Sequence, residues 1–392
     1  GTILRKILKH QASLPMSNHK QSPVTQIDFH FMALAIREAE RGLYTAHPNP
    51  RVGCILVKDG KIISRGYHRL TGTGHAEANA LAAAKTDVKG ATAYCTLEPC
   101  SYTGRTGSCA EALVAAGVSR VVCGMEDPHP KNRGKGFEIL KQAGIEVVNG
   151  MLEQSNRKLN PGHIRKFESG MPYTRLKLAM SMDGKTALAN GESKWITGPE
   201  ARKDVQRLRA RSSAIVTGVQ TVIDDDPQMS VRASELDVDD AKLASEIERR
   251  IVIVDSNLRT PKHSQLLANP FTVLACCEGV SEKRRAEYNA YNLLSLPEDG
   301  KARVNLKSLL TKLAEDDCNE VLFECGASLS ASLIEAELVD EVIIYIAPKL
   351  LGASGRSLVD LNIESMSQSF DLEFTDQRQV GADVRMTLCR KR

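Results

Sequence analysis

His75-Ala-Glu77, Glu98-Pro-Cys100 and Cys109 restrict the fold of this chain more than any other feature. One imidazole and two thiols lie on three separate segments, with eight residues between Cys100 and Cys109. Imidazole and thiolate are zinc donors, and a catalytic zinc keeps three protein ligands with a fourth position open to water. A fold that serves His75, Cys100 and Cys109 must bring all three segments to one point. Bound zinc lowers the pKa of its water toward neutrality and makes a hydroxide nucleophile. Glu77, two residues after the histidine, then suits a catalytic proton shuttle. A purely structural zinc would have no use for such a base.

His-x-Glu followed by Pro-Cys is the signature of zinc deaminases acting on bases. That signature closes as Cys-x-x-Cys, whereas the second thiol here follows a polar stretch, Ser101 to Ser108, that predicts a loop. Cys109 is expected to open a helix whose N-terminal dipole favours its thiolate.

Around these residues, short apolar runs alternate with helical patterns. The apolar spacing of Phe31, Leu34, Ala35 and Ala39 predicts a helix over 27–41. Asp59-Gly60 between two apolar runs predicts a hairpin. Strands are expected over 91–97, 120–124 and 146–150, with helices over 76–85, 109–116 and 136–143. Past Pro172 the pattern resumes, with strands over 173–179, 214–217, 250–254, 272–275, 320–324 and 341–347 and a basic helix over 199–209. The alternation predicts α/β architecture. Pro161, Gly162, Gly170 and Pro172 cluster at the expected join of two domains, and 234–248 reads as an acidic surface insertion with a helical turn.

A length of 392 residues fits two domains. Residues 1–24 are expected to be an extension, in part a tag or disordered, and Met16 is a candidate native start. A net charge of +4 and 4% aromatics give no basic stripe or stacking platform for nucleic acid. No apolar run nears the roughly 20 residues of a membrane span, and the first residues lack the apolar core of a secretory signal. Many of the ten cysteines sit in strand-like apolar runs, as buried free thiols of a cytoplasmic protein would. The expected partners are small molecules, with neither nucleic acid nor membrane; a homo-oligomer is compatible with the sequence.

The stretches His47-Pro-Asn-Pro-Arg-Val-Gly-Cys54, Gly66-Tyr-His68, Gly74-His-Ala-Glu77, Thr96-Leu-Glu-Pro-Cys-Ser101, Gly104-Arg-Thr106 and Asp127-Pro128 closely resemble the deaminase half of the bifunctional riboflavin-biosynthesis deaminase–reductase family. The long Cys100–Cys109 spacing is what that family shows. The resemblance implies a cytidine-deaminase-like three-layer α/β/α domain over 25–168. Its implied substrate is 2,5-diamino-6-(5-phosphoribosylamino)pyrimidin-4(3H)-one, which loses its 2-amino group as ammonia. It also places Asn49 and His68 in the substrate pocket. An amide can read a pyrimidine edge, although Asn49 between two prolines also reads as a turn residue. Tyr102 stands where the family commonly has His, Gly107-Ser108 where it has two prolines, and His129 where it has Asn.

Leu176–Lys185, Ser193-Lys-Trp-Ile-Thr197, Leu208–Ser213, Thr221–Pro227, Glu324–Ala327 and Ala347–Gly352 resemble the reductase half of the same family. This implies a dihydrofolate-reductase-like α/β domain over 172–392 that reduces the ribosyl side chain of 5-amino-6-(5-phosphoribosylamino)uracil to ribityl with NADPH. From the residues alone, the run Val321 to Ser330 is a strand, a glycine and a helix start, where free N–H groups bind phosphate and Ser328 and Ser330 add hydroxyls. Such junctions are common in α/β proteins.

By resemblance, NADPH contacts fall on Ala179, Trp195, Thr221, Asp225, Ser256 and the turn Gly326, Ala327, Ser328, Leu329, Ser330, Ala331 and Ser332. Substrate contacts fall on Lys177, Ser193, Arg209, Met229, Arg232 and Glu324. Trp195 also reads as an ordinary core indole. Arg209 and Arg232 are candidate clamps for the substrate's 5′-phosphate, and Arg209 also sits in a basic run that could be a solvated face. Asp225 and Glu324 are candidates to stabilise a cationic intermediate, and Lys177 to bind phosphate. A second reading keeps the zinc chemistry for another nucleotide or base, fused to a dihydrofolate-reductase-like reductase.

Overall fold

The computed structural model describes residues 24–102, 107–193 and 196–390. The expected N-terminal extension therefore lies almost wholly outside the described residues, as do Gly104-Arg-Thr106 and Trp195.

Two sheets organise the chain. The first contains β1 (Gly53–Lys58), β2 (Lys61–Tyr67), β3 (Thr92–Cys95), β4 (Arg120–Cys123) and β5 (Glu146–Val148), in the order β2-β1-β3-β4-β5. The β1 pairings are antiparallel, and β3-β4-β5 run parallel. Asp59 and Gly60 make the β1–β2 turn with φ of 52° and 71°, the conformation for which Asp-Gly hairpins are selected.

Period-two alternation on β1 sends Cys54 and Leu56 to one face and Ile55 and Val57 to the other, all buried. Above one face lies α1 (Gln26–Glu40), which contributes Phe31, Met32 and Ala35. Under the other lie α2 (Ala76–Ala83), α3 (Cys109–Ala115) and α4 (Lys135–Gln142), contributing Ala80, Leu113 and Leu140. Full burial of each large aliphatic side chain contributes about 1.5–3 kcal/mol, so both faces must be covered. The result is an α/β/α sandwich. Beyond the sheet, α5 (Glu153–Leu159) and α6 (Pro161–Ser169) follow. The Pro/Gly cluster at 161–172 therefore contains a helix, with Pro161 at its first position, where the missing N–H costs nothing.

The second sheet has nine strands: β6 (Tyr173–Ser181), β8 (Ala214–Gly218), β9 (Arg250–Val254), β10 (Thr272–Cys277), β11 (Asn292–Leu296), β12 (Glu320–Glu324), β13 (Glu341–Ala347), β15 (Leu372–Val380) and β16 (Asp383–Arg390). Their order is β11-β10-β9-β8-β12-β6-β13-β16-β15. All neighbours are parallel except around β16. A small ribbon pairs β7 (Lys185–Ala187) with β14 (Arg356–Ser357). The connecting helices are α7 (Pro199–Arg211), α8 (Val219–Asp225), α9 (Ala241–Glu246), α10 (Glu282–Ala286), α11 (Leu306–Glu315) and α12 (Ala327–Glu335). Leu309, Leu310 and Leu313 of α11 and Leu333 of α12 pack with Leu176, Val321 and Phe323 of the sheet. The acidic stretch 234–248 holds α9 and a short 3-10 turn, as read from sequence.

The two halves meet at the start of β12. A Cβ on Gly162 of α6 would lie 2.4 Å from the Asn319 carbonyl, so only glycine lets the helix approach this closely. Arg51 of the first half pairs with buried Glu320, which also holds Arg175 at 2.5 Å. Burial pushes the Glu320 carboxyl up, but Arg51, Arg175 and Arg211 hold it well below the usual carboxylate range. No helix among the described residues is long and apolar enough to cross a membrane.

Candidate active sites

The metal-ligand set assembles at the ends of three elements. His75 is the residue before α2, Cys100 follows β3 in a loop, and Cys109 is the first residue of α3. Their donor atoms lie within 4.8 Å of one another. His75 Nδ1 is 3.3 Å from the Cys109 sulfur and 3.6 Å from the Cys100 sulfur. Zinc bonds of roughly 2.0–2.3 Å in a tetrahedron require ligand spacings of this order, so the residues fit the ion. The Cys109 thiol, the His75 ring and the Cys109 backbone N–H all point at Cys100, and hold its thiol down at about 4 against its burial.

Glu77 occupies the first turn of α2, buried beside Cys109. Burial pushes its carboxyl up to about 7, and the Cys100 sulfur adds to the push. Asn49 and His68 join the group: Asn49 Nδ2 is 3.1 Å from His68 Nε2, and His68 Nδ1 is 3.1 Å from the Gly74 carbonyl. With Nδ1 donating to that carbonyl, Nε2 is left to accept from Asn49. The His68 ring stands edge-on to His75 with centroids 5.4 Å apart. The six residues expected at this site thus form one connected group.

Glu98, the acid of the Glu-Pro-Cys motif, has a scaffold role in the structure. Its buried carboxylate accepts backbone hydrogen bonds from Asp127 (3.1 Å), Gly134 (3.0 Å), Gly136 (2.9 Å) and Phe137 (3.4 Å). It ties the Cys100 loop to the 127–137 segment. A Cβ at Gly136 would meet the Pro99 carbonyl at 2.0 Å, so glycine permits this docking. Asn132 accepts from the Ser101 N–H at 2.8 Å, and Asp127 pairs with His163 at 2.8 Å. An acid before Pro-Cys was the only local signal for this scaffold.

The three family departures also find physical places. Gly107 has φ 74°, which a proline ring forbids. Ser108 caps α3 by accepting from the Glu111 N–H at 3.2 Å. His129 lies against Phe167, centroids 4.3 Å apart, and faces Tyr102 at 6.3 Å.

A second site lies in the larger sheet, in a cavity of about 1510 Å³ at the carboxyl ends of β8, β9 and β12. It is lined by Lys177, Ala179, Ser193, Arg209, Thr221, Asp225, Met229, Arg232, Ser256 and Glu324, and by Gly326 to Leu329 and Ser332 of the α12 turn. Ser330 and Ala331, also expected here, do not line it. Both are buried, and the Ser330 hydroxyl donates to the Gly326 carbonyl at 2.9 Å, so it adds no donor for phosphate.

Neither expected phosphate clamp is a free cation. Arg209 forks across Glu324, and Arg232 forks across Glu235 at 2.6 and 3.0 Å. The carboxylates occupy the bidentate geometry that a phosphate would use. Burial lowers the pKa of Lys177, which Glu324 opposes and Arg209 reinforces. Lys177 sits opposite Glu324 in the β6–β12 register.

Comparison with known proteins fits both sites. Residues 172–386 match the RibD C-terminal domain, and residues 25–125 match the cytidine and deoxycytidylate deaminase zinc-binding region. The riboflavin biosynthesis protein RibD of Escherichia coli (strain K12) is 45% identical over 362 residues, covering 91% of this chain and 98% of the relative. The chain belongs to the RibD family. Members of this family are bifunctional enzymes of riboflavin biosynthesis, joining a deaminase to a reductase. The structure of Acinetobacter baumannii RibD superposes with a TM-score of 0.85 at 42% identity, covering 94% of this chain and 99% of that one. A Thermotoga maritima structure described as a diaminohydroxyphosphoribosylaminopyrimidine deaminase/5-amino-6-(5-phosphoribosylamino)uracil reductase superposes with a TM-score of 0.79 at 28% identity, covering 93% and 99%. The RibD resemblance read from the motifs is thereby established, as is the pairing of a deaminase-like fold with a dihydrofolate-reductase-like one.

Proposed function

We propose that residues 25–168 remove the 2-amino group of 2,5-diamino-6-(5-phosphoribosylamino)pyrimidin-4(3H)-one as ammonia. Residues 172–392 then reduce the ribosyl side chain of 5-amino-6-(5-phosphoribosylamino)uracil to ribityl with NADPH. The convergence of His75, Cys100 and Cys109 beside buried Glu77 carries this reading.

His75 Nδ1 and the two thiolates would hold zinc, which supplies acidification of water and polarisation of the reacting carbon when bound. Glu77 takes the two protons of the attacking water in turn onto a carboxylate oxygen, and delivers the first to the ring nitrogen and the second to the departing amine. Water adds its oxygen at C2, the C2–N bond breaks, and ammonia leaves. Asn49, oriented by His68, reads the pyrimidine edge through its amide.

In the second site, NADPH supplies the hydride when bound. The backbone N–H groups at the start of α12 would hold its phosphate. Arg209 holds the Glu324 carboxyl below its ordinary value against burial, so it stays ionised. It therefore faces the positive charge that develops at the sugar C1. Lys177, opposite Glu324 on the adjacent strand, lines the same wall, and the proton that accompanies the hydride is drawn from solvent. The cavity exceeds the roughly 300–1,000 Å³ of a site for one small ligand, leaving room for cofactor and substrate together.

The test is to give the metal-replete protein the diaminopyrimidine nucleotide and follow ammonia, then add NADPH and follow its oxidation. Ammonia release should come first and NADPH loss should require its product. Absence of either signal rejects the corresponding half of the proposal.

A further inference from the structure

The loop His47-Pro-Asn-Pro-Arg51, which carries Asn49, cannot be held by a sheet ladder, because Pro48 and Pro50 have no N–H to give. It is held instead by side chains, and two of these come from the other half of the molecule. Asn319 donates its Nδ2 to the Pro48 carbonyl at 3.0 Å. Glu320 pairs with Arg51, and both side chains are buried.

Arg51 has every guanidinium donor engaged. Nε donates to the Leu43 carbonyl, Nη1 to the Leu159 carbonyl and Glu320, and Nη2 to the Leu43 and Arg211 carbonyls. Its backbone is pinned on both sides by Asn160, which accepts from the Arg51 N–H at 2.7 Å and donates to its carbonyl at 2.8 Å. Between the two clamped residues, Pro48 and Arg51, Asn49 turns toward His68 and the metal-ligand group. Asn319 immediately precedes, and Glu320 begins, β12, the strand that ends in Glu324 of the reductase cavity.

We propose that Asn319 and Glu320 are positioning residues for the deamination reaction: the reductase half fixes the loop that aims Asn49 at the pyrimidine. This rests on the reading of Asn49 as a substrate residue. The deaminase site is then incomplete without the reductase half, for a geometric reason that involves no transfer of intermediate between sites. A loop held only by its own half would let Asn49 sample other orientations, which weakens binding of the pyrimidine more than it slows chemistry at His75, Cys100, Cys109 and Glu77.

The experiment uses the full-length, zinc-loaded protein. Asn319→Asp is nearly isosteric but loses the donor to Pro48; Asn319→Ala loses it without adding charge; Arg51→Lys keeps the charge and loses the fork. Each should raise the deaminase KM for the diaminopyrimidine nucleotide about three- to thirtyfold, with kcat within about twofold of wild type. Zinc stoichiometry, and reductase kcat/KM measured with supplied aminouracil nucleotide, should stay at wild-type values. Asn49→Ala is the companion. If it raises KM while Asn319→Asp and Asn319→Ala do not, the positioning proposal is overturned and the assignment of Asn49 stands. If Asn49→Ala leaves KM unchanged, the assignment of Asn49 fails and the proposal with it. A parallel fall of kcat, zinc content and reductase activity in all three variants would reduce the contacts to general support of the fold and also overturn it.

Discussion

Arg209 donates Nε and Nη2 to the two carboxylate oxygens of Glu324, at 2.6 and 2.8 Å, inside the reductase cavity. Removing one partner of a buried ion pair costs about 3–5 kcal/mol, because the other charge is left unpaired. Arg209→Met should therefore destabilise the protein and leave Glu324 with Lys177 as its remaining cationic neighbour. Reductase kcat/KM should fall by at least about tenfold, while ammonia release persists. Arg209→Lys keeps the charge but not the planar fork, and should fall between the two. Steady-state NADPH oxidation with supplied aminouracil nucleotide measures the effect, and an Arg209→Met enzyme of wild-type efficiency would refute it.

Glu77 and the ligand set should separate cleanly by substitution. Glu77→Gln preserves size and leaves His75, Cys100 and Cys109 in place. Zinc should remain bound at wild-type stoichiometry while ammonia release falls about 10²–10⁴-fold, the range of general acid–base catalysis. Chelation of the metal should abolish ammonia release in the wild type and spare the reductase. Loss of zinc from Glu77→Gln would instead make the carboxylate a determinant of metal binding.

The deaminase site was legible because its chemistry dictates residue types: thiols, an imidazole and an acid at fixed offsets. The scaffold beneath it was not. Glu98 acts through backbone N–H groups of residues 127–137, and backbone donors leave no trace in side-chain identity. The Arg209–Glu324 pair joins residues 115 positions apart and was read as two separate ligands. Within the fold, β9 and β12 were visible because strands buried on both faces are continuous apolar runs. The edge strand β15 was missed: its residues are exposed or half-buried, so Leu372-Glu-Phe-Thr-Asp-Gln-Arg-Gln-Val380 has no buried face to impose an alternation. The helix after Pro161 was hidden by its own proline, which marks a helix start as readily as a loop.

Glu98→Ala should loosen the Cys100 loop. It strands four backbone N–H groups, each costing about 1–3 kcal/mol if it stays buried and unpaired. A net loss of about 3 kcal/mol or more is expected, with faster zinc loss to a competing chelator. Glu98→Gln retains one acceptor oxygen and should be milder in both respects. Thermal melting paired with chelator kinetics reads the two effects; zinc release at the wild-type rate in Glu98→Ala would show that the loop does not depend on this carboxylate.

His47, at the start of the loop that carries Asn49, gives the molecule a predictable sensitivity to acid. Burial depresses its pKa from 6.5 to about 3, and Arg249 and Arg51 reinforce the depression against the opposing charge of Glu320. Its Nε2 is buried with no hydrogen-bond partner among the described residues, so the neutral ring is the folded form. From pH 6.5 down to about 3 the unfolded chain binds one more proton at this residue than the folded chain does. Stability is therefore lost as pH falls through that window, by about 1.4 kcal/mol per pH unit from this group alone. Replacing the ring with one that cannot titrate removes that term: His47→Phe should flatten the dependence of unfolding free energy on pH between 6 and 4 by about one proton, whatever its effect at neutral pH. Denaturant titrations at a series of pH values give the slope for each protein. Parallel slopes would mean that His47 is protonated, or solvated, in the folded state, and that the loop tolerates a charge where Arg51 and Arg249 already stand.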